Sequence, residues 1–426
     1  MKLRYIFILV LLLVVISGCK DDDSNNELTV SSSSYAVAYN QVAVRIQINS
    51  DLPWSVSSDA VWCVPDRDQG NGSETLTVML ELNTMTAERS ATLTISNAFS
   101  SQKVQVTQSG EEHYKLPVIF HVLYNDINDP NQYVRKDWLP KILTLCNQLY
   151  ANQFEDRNED KNSVDMNVEF ILATTDPNGR TLEEPGANRI FWPTSTIDCD
   201  IFMNTEDPLH ASLLWDLNQY INIFLYTFTN PGVAGIAHIP YTFSANPLNG
   251  LYSGDVYYTS QPAYPHCVSI NNVDIYVLEH PNNDVSVTLA HELGHYLGLF
   301  HAFGQSRIKN DQYIDWKDDT DYCDDTPNYD RGAYDQWLDE YFASIPPGES
   351  GSFYDVIKRT SITGATFNST NIMDYYYTWS DEFTPDQRKR VRHVLNYSPL
   401  IPGAKYHRPQ SRNITDMKKP PIRAIQ

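Results

Sequence analysis

AHELGHYLGLFH, residues Ala290–His301, places three of the chain's 11 histidines within one short segment. Upstream, Asn283 and Asp284 are residue types that cap helix N-termini, and Val285 to Leu297 is a run broken only by Gly294. On such a helix His291 and His295 stand four residues apart. Their rings then lie one turn apart on one face, as two ligands of one metal require. Gly298 falls where a helix ends in the left-handed conformation that glycine adopts cheaply. The chain can turn there and return His301 to the same metal. HExxHxxGxxH fixes five positions, and at ~1/20 each a chance occurrence is on the order of 1 in 10,000.

Three histidines leave a fourth zinc position open, the mark of a catalytic rather than a structural site. Zinc in such a site polarises a carbonyl and brings a water toward a pKa of ~7. Glu292, beside the first ligand, can reach that water without ligating the metal. It is the candidate general base, and then the acid that protonates the leaving amine. A structural zinc site would have no use for Glu292.

The signature resembles that of the metzincin metallopeptidases, and a second element supports the likeness. Asn371-Ile372-Met373-Asp374-Tyr375 resembles the family's Met-turn, in which Met373 would form an apolar floor beneath the histidines. Without that context, a methionine in a loop reads as core filler. The resemblance implies that Tyr375 serves as a fifth ligand at rest and a hydrogen-bond donor to the oxyanion during reaction. Phe383-Thr384-Pro385-Asp386-Gln387 then opens a helix, with Thr384 as N-cap and Pro385 at the first position.

Within the metzincins the chain is most similar to the pappalysin-like branch, over roughly residues 114–397. The likeness rests on LPVIFHVLY (Leu116–Tyr124), on NIMDY and FTPDQ, and on Asp324-Asp325-Thr326-Pro327. It implies a calcium site in the carboxylate-dense stretch Asp311–Asp330, with Asp321, Asp324, Asp325 and Thr326 as candidate ligands, and oxygen ligands at short spacing suit Ca²⁺. A solvated acidic loop is the competing reading. The branch also implies a rim strand that pairs antiparallel with extended substrate, for which Val233 to Pro240 is the candidate. The sequence departs from the branch in lacking cysteines soon after His301 and after Tyr375, so the family's disulfides are not carried over.

Before this region the grammar is different. From Leu28 to Gly110 apolar residues alternate with polar ones: Val42, Val44, Ile46, Ile48; Leu76, Val78, Leu80; Leu93, Ile95; Val104, Val106. Asp66–Gly72 and Asn97–Ser101 read as turns. This is an all-β sandwich. It resembles the BACON domain through Leu52-Pro53-Trp54-Ser55-Val56, Trp62, Arg89–Ile95 and Val104–Gln108. That family has been linked to glycan or mucin binding. Trp54 and Trp62 read either as sugar-stacking rings or as core tryptophans; the core reading makes the domain a spacer and is preferred.

From residue 111 to 408 the pattern is mixed α/β. Leu116–Tyr124 reads as a buried strand and Asp137–Phe154 as a helix with Ile142, Cys146 and Leu149 on one face. Further strands are expected at Met166–Leu172, Ile221–Phe228, Gly235–Pro240 and Val273–Leu278. The fold class is therefore multidomain: a β-sandwich, then an α/β peptidase domain with a twisted sheet and an active-site helix. Residues 409–426 read as a loose tail.

The first 19 residues are a leader. Lys2 and Arg4 precede an apolar run, and Ile16-Ser17-Gly18-Cys19 resembles a bacterial lipobox, making Cys19 the lipidation site. Residues 20–27 form a polar tether, and its acidic run resembles the tag that exports some lipoproteins to the outer cell surface. An outer-membrane lipoprotein, exposed on the cell surface, is expected. Of the remaining cysteines, Cys146, Cys199, Cys267 and Cys323 suffice for two bridges, with three pairings open, and Cys63 is left over. Acidic residues outnumber basic ones 53 to 31, which argues against nucleic acid as a partner. The expected function is a zinc endopeptidase acting on extracellular proteins or peptides. The alternative is a glycan- or mucin-binding lipoprotein with a weak or inactive zinc domain.

Overall fold

The computed structural model describes residues 27–83, 85–153, 162–205, 207–254, 265–279, 284–309, 312–403 and 422–425. The leader with Cys19, residues 20–26, Asn283, Asp311 and residues 409–421 lie outside them. The chain divides between Glu112 and His113 into two compact units. No helix among the described residues is long and apolar enough to cross a membrane.

In the first unit the period-2 runs become β1 (Thr29–Val30), β2 (Ser34–Val37), β3 (Ala43–Asn49), β4 (Pro53–Ser58), β5 (Cys63–Pro65), β6 (Gln69–Asn71), β7 (Glu74–Leu80), β8 (Arg89–Ser96) and β9 (Ser101–Gln108). They form two sheets, ordered β1-β3-β7-β5 and β2-β9-β8-β4-β6. Alternation sends Ile46, Ile48, Leu76 and Val78 from one sheet, and Leu93, Ile95, Val104 and Val106 from the other, into one core. Trp54 and Trp62 join that core, Trp54 donating from Nε1 to the Gly72 carbonyl at 3.0 Å. Two readings need correction. Val42 lies just outside β3 and is exposed. The expected turn Asp66–Gly72 contains β6, which pairs antiparallel with β4. Gly70 explains this: a Cβ there would come within 2.2 Å of the Trp54 ring, so glycine admits the ring rather than marking a bend.

The second unit is built on a sheet of β10 (Tyr114–Tyr124), β11 (Val168–Leu172), β12 (Ala187–Phe191), β13 (Ile221–Tyr226), β14 (Gly235–His238), β15 (Val268–Asn271) and β20 (Ile422–Ile425). The order is β11-β10-β13-β15-β14-β20, with β12 also on β10. Strands β10, β11, β12, β13 and β15 are parallel, whereas β14 runs antiparallel to β15 and β20 antiparallel to β14. Such a sheet is buried on both faces. On one face Val118, Phe120, Val122, Ile223 and Ile270 pack with α1 (Trp138–Tyr150) and α4 (Val285–Tyr296). On the other, Leu123, Phe224, Tyr226 and Ile236 pack with α2 (Cys199–Asn204), which α3 (Pro208–Ser212) follows. Beyond α4 come the hairpin β16 (Arg307–Lys309) and β17 (Gln312–Ile314), α5 (Arg331–Ser344), α6 (Phe353–Val356), the hairpin β18 (Lys358–Thr360) and β19 (Thr366–Asn368), and α7 (Pro385–Tyr397). Helix α7 opens on a capping box between Thr384 and Gln387.

Several expectations shift here. The strand expected at Val273–Leu278 is instead β15, five residues earlier. The Asn271 side chain accepts from Val273 N–H and turns Asn272–Asp274 into a 3₁₀ turn. Helix α1 ends at Tyr150 because Asn152 takes a left-handed φ of 53°; Phe154 lies outside the described residues. The expected strand Ile221–Phe228 stops at Tyr226, and Phe228 N–H goes to the Asn271 side chain. Ile422–Ile425, read as part of a loose tail, is a strand with partners on β14. The two bridges do not form: Cys63, Cys146, Cys199, Cys267 and Cys323 are buried thiols. Cys146 lies with α1 and α4, Cys199 and Cys267 share one cluster in which Cys267 meets the Met203 sulfur of α2 at 3.4 Å, and Cys323 lies in the acidic loop.

Candidate metal centre

Helix α4 begins where the Asp284 carboxylate accepts from Ser286 N–H at 2.8 Å and from the Ser286 hydroxyl at 2.6 Å. Its end is a Schellman turn: Gly298 N–H reaches the His295 carbonyl and Leu299 N–H the Gly294 carbonyl, with Gly298 at φ +92°. A Cβ on Gly298 would also meet Val394 at 2.6 Å. This turn returns His301 to the helix. His295 Nε2 lies 3.0 Å from both His291 Nε2 and His301 Nε2. Among the described residues, these three form the one group of His, Cys, Asp or Glu side chains that could hold a metal ion.

The tautomers suit that task. His291 Nδ1 bonds the Ile372 carbonyl at 2.7 Å, and His295 Nδ1 bonds the Leu299 carbonyl at 2.9 Å. A carbonyl oxygen only accepts, so each Nδ1 carries the proton and each Nε2 keeps its lone pair. Burial pushes the His291 pKa down to about 4, which keeps the ring neutral. Tetrahedral zinc with bonds of ~2.0–2.1 Å places its ligand atoms about 3.3 Å apart, close to the spacing here. The donor set fits the metal.

Glu292 is fully buried. It packs against β14 at Gly235, where a Cβ would lie 2.7 Å from Glu292 Cγ and 2.9 Å from Oε1. Glycine in that strand makes room for the carboxylate. Met373, also fully buried, lies against Gly294; a Cβ there would come within 2.5 Å of its sulfur. The Met373 carbonyl accepts from Ala302 N–H at 3.1 Å, and its N–H donates to the Asn371 side chain at 2.8 Å. Asn371 in turn exchanges two 3.0 Å bonds with Gln387 of the capping box.

Tyr375 sets its ring edge-on to His301 at 4.6 Å between centroids, and His301 stacks on Phe303 at 4.8 Å. The buried Arg331 guanidinium lies 5.1 Å from the Tyr375 ring centre and 5.6 Å from that of Phe303. Asp374 fixes the backbone between Met373 and Tyr375. It accepts from Tyr329 OH at 2.6 Å, from Tyr375 N–H at 2.7 Å and from the Ser369 hydroxyl, and it lies 3.6 Å from Arg359 Nε. Sequence reading missed Gly235, Phe303, Arg331, Arg359 and the role of Asp374. Only Gly235, a glycine inside a strand, carried a local signal.

The calcium candidates serve other partners. Asp321 accepts from Thr326 Oγ1 at 2.6 Å and from Cys323 N–H at 3.1 Å, and burial raises its pKa to about 6. Asp325 takes Thr384 Oγ1 and Asp386 N–H at the start of α7, and Asp324 N–H donates to Asp386. The structure brings Asp321 and Thr326 together but points Asp325 at the helix. Cys19 lies outside the described residues.

The BACON family model, described as an N-terminal binding domain, matches residues 52–109. The peptidase family model described as pregnancy-associated plasma protein-A matches residues 204–396, a span that holds all three histidines, Glu292, Met373 and Tyr375. No curated protein matches the chain in sequence. Among solved structures, mirolysin in complex with compound 9 is 20% identical at a TM-score of 0.45, over 67% of this chain and 92% of that one. Mature mirolysin of Tannerella forsythia with a cleaved peptide gives 20%, 0.45, 67% and 93%. The Bacteroides ovatus GH5 xyloglucanase with a heptasaccharide gives 13%, 0.20, 48% and 56%. Likeness at these scores carries no functional inference. Residues 52–109 are thus similar to the BACON domain family, and residues 204–396 to the pregnancy-associated plasma protein-A peptidase family, a likeness that supports a metallopeptidase.

Proposed function

We propose that the chain is a zinc-dependent endopeptidase that cleaves extended segments of extracellular proteins. The observation that carries this reading is the meeting of three imidazole Nε2 atoms beside a fully buried carboxylate, Glu292. Zinc, when bound by His291, His295 and His301, supplies Lewis acidity toward the scissile carbonyl and acidifies a water. The chain's own residues do the rest. The carbonyls of Ile372 and Leu299 hold Nδ1 protonated, fixing both rings. The Glu292 carboxylate accepts a proton from the attacking water and later delivers it to the amine nitrogen as the peptide C–N bond breaks. Tyr375 donates from its hydroxyl to the oxygen that gains charge in the transition state. Met373 and Asp374 hold the floor and Tyr375 in place.

Three subsidiary parts belong to the same reading. Lipidation at Cys19 would tether the enzyme to the outer membrane with its domains facing outward, supported by the lipobox residues alone. Calcium in the 311–330 loop would be structural, supported by the density of carboxylates. The BACON domain would act as a spacer, because Trp54 and Trp62 both lie in its core. That burial also weakens the glycan-binding alternative, which relied on those rings. Digestion of a peptide library with the mature chain, with and without a zinc chelator, tests the proposal. Chelator-sensitive cleavage is expected, and absence of cleavage in zinc-replete protein would overturn it.

A further inference from the structure

Strand β14 lies between two neighbours of different standing. On one side β15 is followed by further strands of the sheet; on the other, β14 would be the sheet edge if β20 were absent. An open edge offers unpaired backbone N–H and C=O groups to any extended chain. Here the occupant is the chain's own C-terminal segment. The register is Gly235↔Ile425, Ile236↔Ala424, Ala237↔Arg423 and His238↔Ile422, antiparallel throughout. Strand β20 also lies against α4, the helix that carries His291, Glu292 and His295.

Direction gives this pairing its meaning. Gly235 is the residue whose missing side chain admits the Glu292 carboxylate. The C-terminal end of β20 pairs at Gly235, and its N-terminal end pairs at His238, away from that carboxylate. A peptide bound in this sense brings its C-terminal residue to the reacting centre. That is the polarity of the acyl-side half of a substrate, and equally of the N-terminal product of its cleavage.

We infer that residues 422–425 hold the outer edge of β14, the rim edge that the family resemblance implies for extended substrate, as a built-in competitor. The inference rests on the peptidase reading for its consequence, but not for the binding itself. A segment on the same chain competes at effective concentrations that reach the order of mM. Substrate must therefore displace β20, which raises KM and leaves kcat alone, because β20 contributes no reacting group.

Two variants and a binding assay test this. A chain ending at residue 421 should show KM lowered by ~10-fold or more with kcat unchanged, as for removal of a competitor. Arg423→Pro in the full chain should act the same way, since residue 423 pairs with Ala237, whose N–H faces β20 rather than β15, and proline there removes a ladder hydrogen bond without shortening the protein. Hydrogen exchange at the Gly235 and Ala237 amides, which face β20, should speed up in both variants, and melting temperature checks that each is folded. A labelled peptide of residues 418–426 should bind the shortened chain and be displaced by extended peptide substrates. Failure of that peptide to bind, or an unchanged KM in both folded variants, would overturn the inference. If the peptide binds and no form of the protein hydrolyses anything, the docking edge stands and the peptidase reading falls.

Discussion

Gly294 and Met373 are fitted to one another: a β-carbon on Gly294 would lie 2.5 Å from the Met373 sulfur, 3.3 Å from its terminal methyl and 3.5 Å from Leu299. Glycine in a helix interior costs ~1 kcal/mol relative to alanine, so its presence in α4 calls for a reason. The reason is the approach of Met373 to the turn that carries His291 and His295.

Gly294→Ala should therefore be destabilising despite its better helix propensity. The gain of ~1 kcal/mol is outweighed by overpacking, which costs ~1–3 kcal/mol. Displacing Met373 also shifts the Ile372 carbonyl that orients His291. A lower melting temperature and weaker zinc retention during dialysis are expected. A stabilised protein with undiminished zinc affinity would show that Met373 is not a floor.

Tyr375→Phe removes one hydroxyl and leaves the ring against His301, Phe303 and Arg331. The expected result is a ~10–100-fold loss in kcat with little change in KM, as for a donor used mainly in the transition state. A raised KM with kcat intact would make Tyr375 a binding residue.

Asp321 makes a prediction about pH. Its pKa stands near 6 in the folded chain against an ordinary 3.8, chiefly through burial. A raised carboxyl favours the folded state fully below pH 3.8, and that contribution fades as pH rises through 6. At about 1.36 kcal/mol per unit the swing is on the order of 3 kcal/mol. In calcium-free buffer the wild type should lose stability relative to Asp321→Asn between pH 4 and 7. If calcium binds this loop, added Ca²⁺ should abolish the difference, because a cation holds the carboxylate ionised. A difference untouched by Ca²⁺ would remove calcium from the proposed function.

The histidine site was legible because its geometry is local: a four-residue helical spacing, a glycine at the turn and a returning third ligand need only one segment. Met373 and Tyr375 lie some 70 residues on and were reached through resemblance. Asp374, Arg331 and Phe303 act through tertiary contacts that no spacing encodes. The sandwich was legible through period-2 alternation. Strand β6 was not, because Gly70 reads as a turn until Trp54 is seen against it. Strand β15 was missed because four residues, Val268–Asn271, are too few to show a period. The pairing of Ile422–Ile425 with a strand almost two hundred residues earlier is invisible to any local pattern.

The central claim is that Glu292 moves the proton while the three histidines hold the metal. Zinc content and peptide hydrolysis should be measured together on Glu292→Gln, which keeps the shape of the side chain and all three ligands. The account predicts zinc bound as in the wild type and hydrolysis reduced by ~10²–10⁴-fold, the range for loss of a general base. Hydrolysis at the wild-type rate with zinc in place would contradict it.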